Sequence, residues 1–163
     1  MTRYLRQHDK FSCGPTAIMN VLKWLGLKIH YRKEIEWFRE ITRCKEDGIL
    51  FGTNFGHMTK ALKMFKNLFT TEYRRDPTVS RIAKHLNAGG VVVLCYRLPK
   101  RKVGHYILIV EANGEGFTAV NVEPDRTRTK LSSSDLSHML LSNGIYPRAW
   151  LITKKKGRPK STP

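Results

Sequence analysis

Apolar residues recur at helical spacing through the first half of the chain and gather into β-branched runs in the second. From Ser12 to Leu25, the residues Ala17, Val21, Leu22, Trp24 and Leu25 fall on a helical repeat, and Gly26 stands where a left-handed C-terminal stop belongs. The spacing of Ile35, Trp37, Phe38 and Ile41 predicts a second helix over 33–43. After a Gly-rich stretch from Gly48 to Gly56, a third helix is predicted over 57–68, carrying Met58, Ala61, Leu62, Met64, Phe65 and Leu68. Asp76-Pro77-Thr78 opens a short fourth helix from Val79 to Leu86, which ends near Asn87-Ala88-Gly89-Gly90.

The grammar then changes. Val91-Val92-Val93-Leu94-Cys95-Tyr96 is an apolar, β-branched run that predicts a buried strand. Tyr106 to Val110 is a second such run, and Asn113-Gly114-Glu115-Gly116 is a hairpin turn that returns the chain through Phe117 to Val122. A short helix over 134–141 and a last strand over 149–153 complete the pattern. Helices first and an antiparallel sheet second make the fold class α+β. The length of 163 residues suits one domain over 1–153, followed by a polar, basic tail over 154–163 that lacks the apolar residues needed to fold alone.

Three cysteines, Cys13, Cys44 and Cys95, form no CxxC pair, which argues against a disulfide framework or a zinc ribbon and for a reducing cytoplasmic setting. The charged start MTRYLRQHDK has no apolar core of a signal peptide, and no run reaches the roughly 18 residues of a membrane span. Thirty Lys and Arg against thirteen Asp and Glu give a net charge of +17, a field that attracts polyanions, with nucleic acid first and an acidic protein or membrane surface second.

The candidate chemistry begins at Cys13. A cysteine in the first turn of a helix meets unpaired N–H groups and the positive end of the helix dipole, and both favour the thiolate. Gly14 is expected to let a substrate backbone come close. The N–H of Cys13 and the side-chain amide of Gln7 together suit an oxyanion hole. His105, in Gly104-His105-Tyr106 at the start of a strand, is the candidate general base from the opposite structural layer. In Val120-Asn121-Val122-Glu123-Pro124 the hairpin brings acceptors back beside His105. Asn121 and Glu123, expected on one strand face, and Asp125 beyond them are the candidates to orient its ring.

Gln7, five residues, Cys13-Gly14-Pro15-Thr16-Ala17, then Gly104-His105-Tyr106, then an acid-Pro dipeptide: this order resembles the bacteriocin-processing peptidases, papain-like cysteine peptidases that cut leader peptides after a double glycine. The resemblance runs from Gln7 to about Ile152. It implies a papain-like fold with N-terminal helices on an antiparallel sheet, Cys13 as nucleophile, His105 as base, Gln7 as oxyanion donor and Glu123 as orienter. The sequence has Ser12 and Glu123 where that family typically has Asp, and Asn121 is the alternative to Glu123. The family's transporter domains are not in this sequence, so leader cleavage during export is not expected.

Other candidates carry less. His8 is expected to be structural, His57 to sit in the core or at a rim, and His30, His85 and His138 show no ligand spacing, so neither metal nor cofactor is expected. Cys95 is expected to be inert in its strand. Cys44, between Arg43 and Lys45, is expected to be a solvated spectator, its flanking charges tending to lower its pKa. In the tail, Lys155, Lys156, Gly157, Arg158, Pro159 and Lys160 resemble an AT-hook, whose extended Arg-Pro lies in the narrow minor groove of A·T-rich DNA. The expected activity is hydrolysis of a peptide or isopeptide-like amide bond near nucleic acid. A DNA-binding protein on a catalytically lapsed peptidase scaffold, and a thiol acyltransferase or deamidase, are the alternatives.

Overall fold

In a computed structural model, which describes residues 2–46, 52–98, 103–122, 126–141 and 145–155, the first apolar run forms α1 (Cys13–Trp24). Residues Cys13 through Leu22 are buried, and Gly26, with φ of 89°, ends the helix as the sequence predicts. Helix α2 (Tyr31–Ile41) buries Ile35 and Phe38 and leaves Trp37 exposed. Helix α3 (Phe55–Met64) starts two residues before the predicted boundary, because the Asn54 side chain caps it by accepting the N–H of His57. It also ends earlier, and the chain turns into β1 (Phe69–Arg74), a strand the periodicity does not predict.

The remaining elements follow in order: α4 (Val79–Asn87), β2 (Val91–Arg97), β3 (Gly104–Asn113), β4 (Gly116–Val120), β5 (Arg128–Leu131), α5 (Ser133–Leu140) and β6 (Arg148–Lys154). The strands form one antiparallel sheet in the order β1-β6-β2-β3-β4-β5. This is an α+β fold. Strand β2 is unbrokenly apolar from Val91 to Tyr96 because both its faces are covered. Val91, Val93 and Cys95 face the core shared with α1, α2 and α3, while Val92, Leu94 and Tyr96 face a second core closed by α4 and α5.

The two strands missing from the predicted pattern, β1 and β5, are the sheet's edges. Each buries only one residue fully, Phe69 and Leu131, and polar residues fill the rest, which guards an open edge against further pairing. Strand β4 stops at Val120 because Asn121 adopts a left-handed backbone conformation, φ 62°. The strand alternation expected to place Asn121 therefore ends before it. Among the described residues no helix is long and apolar enough to cross a membrane.

Candidate active site

Cys13 is the first residue of α1, and α1 packs against β3, the strand that carries His105. Both residues line one cleft of about 820 Å³ between the helical layer and the sheet. The Cys13 thiol faces the Phe11 carbonyl at 4.0 Å. Burial pushes the Cys13 thiol up. The N–H groups of Tyr106, Gly14 and Cys13 itself pull it down without offsetting burial, and the charge of Asp9 adds to the rise. The helix start supplies the donors that the sequence led one to expect, yet in the free protein desolvation outweighs them.

His105 is the second residue of β3, opposite Tyr96 on β2, and the two rings meet edge to face with centroids 6.0 Å apart. Its Nε2 lies 2.6 Å from the main-chain carbonyl of Asn121. The Asn121 side chain points elsewhere: Oδ1 accepts the N–H of Gln7 at 3.3 Å and Nδ2 donates to the carbonyl of Leu5 at 3.2 Å. The left-handed conformation of Asn121 thus lets one residue face the imidazole with its carbonyl and the N-terminal segment with its amide.

That segment has a second anchor which the sequence reading missed. Asn20, fully buried on α1, accepts the N–H of Leu5 at 2.7 Å and donates back to the Leu5 carbonyl at 3.0 Å. An amide inside an otherwise apolar helix was the available signal, since such a group is tolerated only when satisfied. Asn20 and Asn121 together fix residues 5–7 and so place Gln7 at the cleft. The Gln7 amide donates to the carbonyl of Asp9 at 2.6 Å, and an amide nitrogen has two N–H groups, so one remains for another acceptor.

Asp9 organises the turn that leads into Cys13. Its Oδ1 accepts the N–H groups of Phe11 and Ser12 at 2.9 and 2.6 Å, and its Oδ2 accepts the Tyr31 hydroxyl at 3.1 Å and pairs with Arg39 at 2.9 Å. Burial raises the Asp9 carboxyl, but these hydrogen bonds outweigh it and hold it below its ordinary range. Arg39 also donates from Nε to the Ser12 hydroxyl at 2.9 Å and lies over the Phe11 ring at 4.7 Å. Ser12, standing where the resembled family has Asp, therefore makes no side-chain cap to α1 and serves Arg39 instead.

Two expectations need correction. A Cβ at Gly14 would lie 2.8 Å from both Cβ and Oγ1 of Thr53, so this glycine makes room for the protein's own chain rather than for a substrate backbone. The Tyr106 hydroxyl donates to the Thr53 carbonyl at 2.9 Å and fixes that segment against α1. Cys44 is half-buried rather than solvated, its thiol faces the Phe11 carbonyl at 3.2 Å, and desolvation pushes it up to about 11 despite Arg39 nearby. Cys95 is buried, with its thiol raised well above the ordinary value by desolvation first.

His8 is exposed and stacks edge-on with Tyr31 at 4.7 Å, and His57 sits half-buried at the cleft. Among the described residues no group of His, Cys, Asp and Glu is placed to hold a metal. Glu123, Pro124, Asp125 and the AT-hook-like residues from Lys156 to Lys160 lie outside the described residues. Lys155 is described, and its N–H bonds the carbonyl of Leu68 at 3.2 Å.

Several solved structures share this architecture. The peptidase domain of Streptococcus ComA, a bi-functional ABC transporter involved in a quorum-sensing pathway, aligns with TM-score 0.68 at 16% identity, over 95% of this chain and 100% of that one. A C39-like peptidase from Bacillus anthracis aligns with TM-score 0.65 at 13% identity, over 94% of this chain and 95% of that one. The Streptococcus mutans ComA peptidase domain gives TM-score 0.54 at 14% identity, over 91% and 97% of the two chains. The fold is that of these peptidase domains. No protein-family model matches the sequence, and no curated protein matches it.

Proposed function

We propose that this chain is a cysteine peptidase with Cys13 as nucleophile and His105 as general base. The observation that carries the reading is the lining of one interlayer cleft by both residues, with a carbonyl acceptor at His105 Nε2. Because burial keeps Cys13 a thiol at rest, His105 takes its proton as the sulfur attacks the scissile carbonyl carbon. The N–H of Cys13 and the second N–H of Gln7 hold the oxyanion. His105 then hands its proton to the leaving amine, and an acyl-cysteine remains. Water attacks that thioester, gives its proton to His105, and the acid leaves as the proton returns to sulfur. The Asn121 carbonyl orients the His105 ring, and Glu123 is the further candidate from the family resemblance.

The test uses a mixture of peptides from digested cellular protein, incubated with wild type or Cys13→Ala and read for new termini by mass spectrometry. Cleavage by the wild type alone is expected. Products extended by an amine, or amides converted to acids without chain scission, would instead mark acyl transfer or deamidation. Absence of any of these with a Cys13-dependent fold would favour the lapsed scaffold.

A second reading adds duplex DNA. The bond from Lys155 to Leu68 starts the tail beside the end of α3, where Lys63 and Lys66 are exposed. With the net charge of +17, this basic corner supports salt-dependent binding, to which Arg158 and its neighbours add a preference for A·T-rich minor grooves. Titration of A·T-rich and G·C-rich duplexes at two salt concentrations, with and without residues 156–163, checks it. Deletion should weaken A·T-rich binding more, and equal losses would reduce the tail to a generic basic arm.

A further inference from the structure

The lining of the cleft around Cys13 is both cationic and apolar. Arg6 and Lys10 reach it from the N-terminal segment, and Arg43 and Lys45 from the turn after α2. All four are exposed, and among the described residues none of them takes part in an ion pair. The one acid among the described lining residues, Asp9, already has both oxygens occupied by Phe11, Ser12, Tyr31 and Arg39. The His57 imidazole in the same cleft is pushed down, first by burial and then by Arg43, Lys60 and Lys45, as expected for a site of positive potential. Apolar lining comes from Phe11, Phe55, Leu98, Val103 and Ile145. Val103, just before β3, and Ile145, in the turn ahead of β6, are 39% and 60% exposed despite their chemistry.

We propose that this cleft selects an acidic, amphipathic peptide. Its Asp and Glu side chains meet Arg6, Lys10, Arg43 and Lys45, and its apolar side chains cover Val103 and Ile145. The inference rests on the peptidase reading of the cleft and adds the substrate class. Like charges around a concavity focus the field and draw in the opposite charge. Nucleic acid would satisfy the cations but leave the apolar rim open to water, whereas an acidic peptide with Leu or Phe answers both.

The test separates binding from cutting. Full-length Cys13→Ala is titrated by fluorescence anisotropy with three labelled pools of random short peptides. The first draws on Asp, Glu, Leu, Phe, Gly, Ala and Ser. The second replaces Asp and Glu with Lys and Arg, and the third replaces Leu and Phe with Ser. The first pool should bind about tenfold or more tightly than either other, since each such factor needs only the sum of a few weak contacts. Arg43→Glu with Lys45→Glu, and separately Arg6→Glu with Lys10→Glu, should each weaken first-pool binding by about tenfold. Equal binding of the first pool and either other, or insensitivity to both charge reversals, would overturn the proposal. So would a duplex DNA oligomer that outcompetes the first pool and loses affinity with the same reversals. Wild-type cleavage of the same pools is read in parallel. Cleavage without charge preference leaves the peptidase and removes this selectivity, while selective binding without cleavage does the reverse.

Discussion

His105 meets Asn121 through the main chain, its Nε2 lying 2.6 Å from the Asn121 carbonyl, while the Asn121 amide reaches away to Leu5 and Gln7. A carbonyl partner cannot be removed by truncating the side chain that accompanies it. The two contacts of Asn121, one to His105 and one to the N-terminal segment, are therefore separable by mutation.

Asn121→Ala should leave the His105 contact in place and release the Gln7 segment. If Gln7 is an oxyanion donor as proposed, kcat/KM should fall by about tenfold or more, with the apparent pKa values of the pH–rate profile unchanged. Asn121→Gly, which accepts φ of 62° without steric cost, should be more stable than Asn121→Ala by about 1 kcal/mol. Urea denaturation of the two variants and pH–rate profiles on a cleaved peptide check this. A shifted acid limb in Asn121→Ala would mean that the side chain acts on His105 after all.

Asp9 predicts a pH signature. Its folded-state carboxyl lies below the ordinary value of 3.8, so its contribution is present above that value and is lost as pH falls through the folded-state pKa. Asp9→Asn keeps one acceptor oxygen but loses the charge that meets Arg39 and two main-chain N–H groups. The variant should be about 2 kcal/mol less stable than wild type at neutral pH. The gap should close only below the ordinary carboxylate range. Urea denaturation across that range gives the answer, and a gap independent of pH would assign the loss to packing rather than charge.

The sequence made the helices and the buried strands legible because their periodicity follows from burial. Continuous runs such as Val91–Tyr96 report a sheet covered on both faces, and Gly26 and Asn113–Gly116 report backbone geometry that few residues accept. The edge strands β1 and β5 were hidden because polar residues suit an open edge, so Phe69–Arg74 and Arg128–Leu131 lack the signature of burial. Cys13 and His105 stood out through position, each at the start of its element. Their partners did not. Asn20, Asp9 and Thr53 act through contacts between segments far apart in the chain, which no local pattern encodes. The environment of Cys44 was misread for the same reason: its neighbours in sequence are cations, while its neighbours in space bury it.

Gly14→Ala should destabilise the protein by about 1–3 kcal/mol, because the new methyl would meet Thr53 at 2.8 Å and force the chain around residue 53 away from α1. Thermal denaturation monitored by near-ultraviolet circular dichroism measures the shift. A variant as stable as the wild type would show that the close approach of Thr53 carries no structural consequence.

The central claim is that His105 activates Cys13, and the rate of Cys13 alkylation tests it most directly. Wild-type protein and His105→Ala are treated with iodoacetamide at neutral pH, and each thiol is followed by mass spectrometry. Burial raises all three thiols, and on the proposed mechanism only Cys13 has His105 to take its proton. The account predicts that Cys13 is modified first in the folded wild type, with Cys44 and Cys95 silent until unfolding. It predicts that His105→Ala slows Cys13 by about tenfold or more. Modification of Cys44 or Cys95 ahead of Cys13, or an unchanged Cys13 rate in His105→Ala, would contradict it.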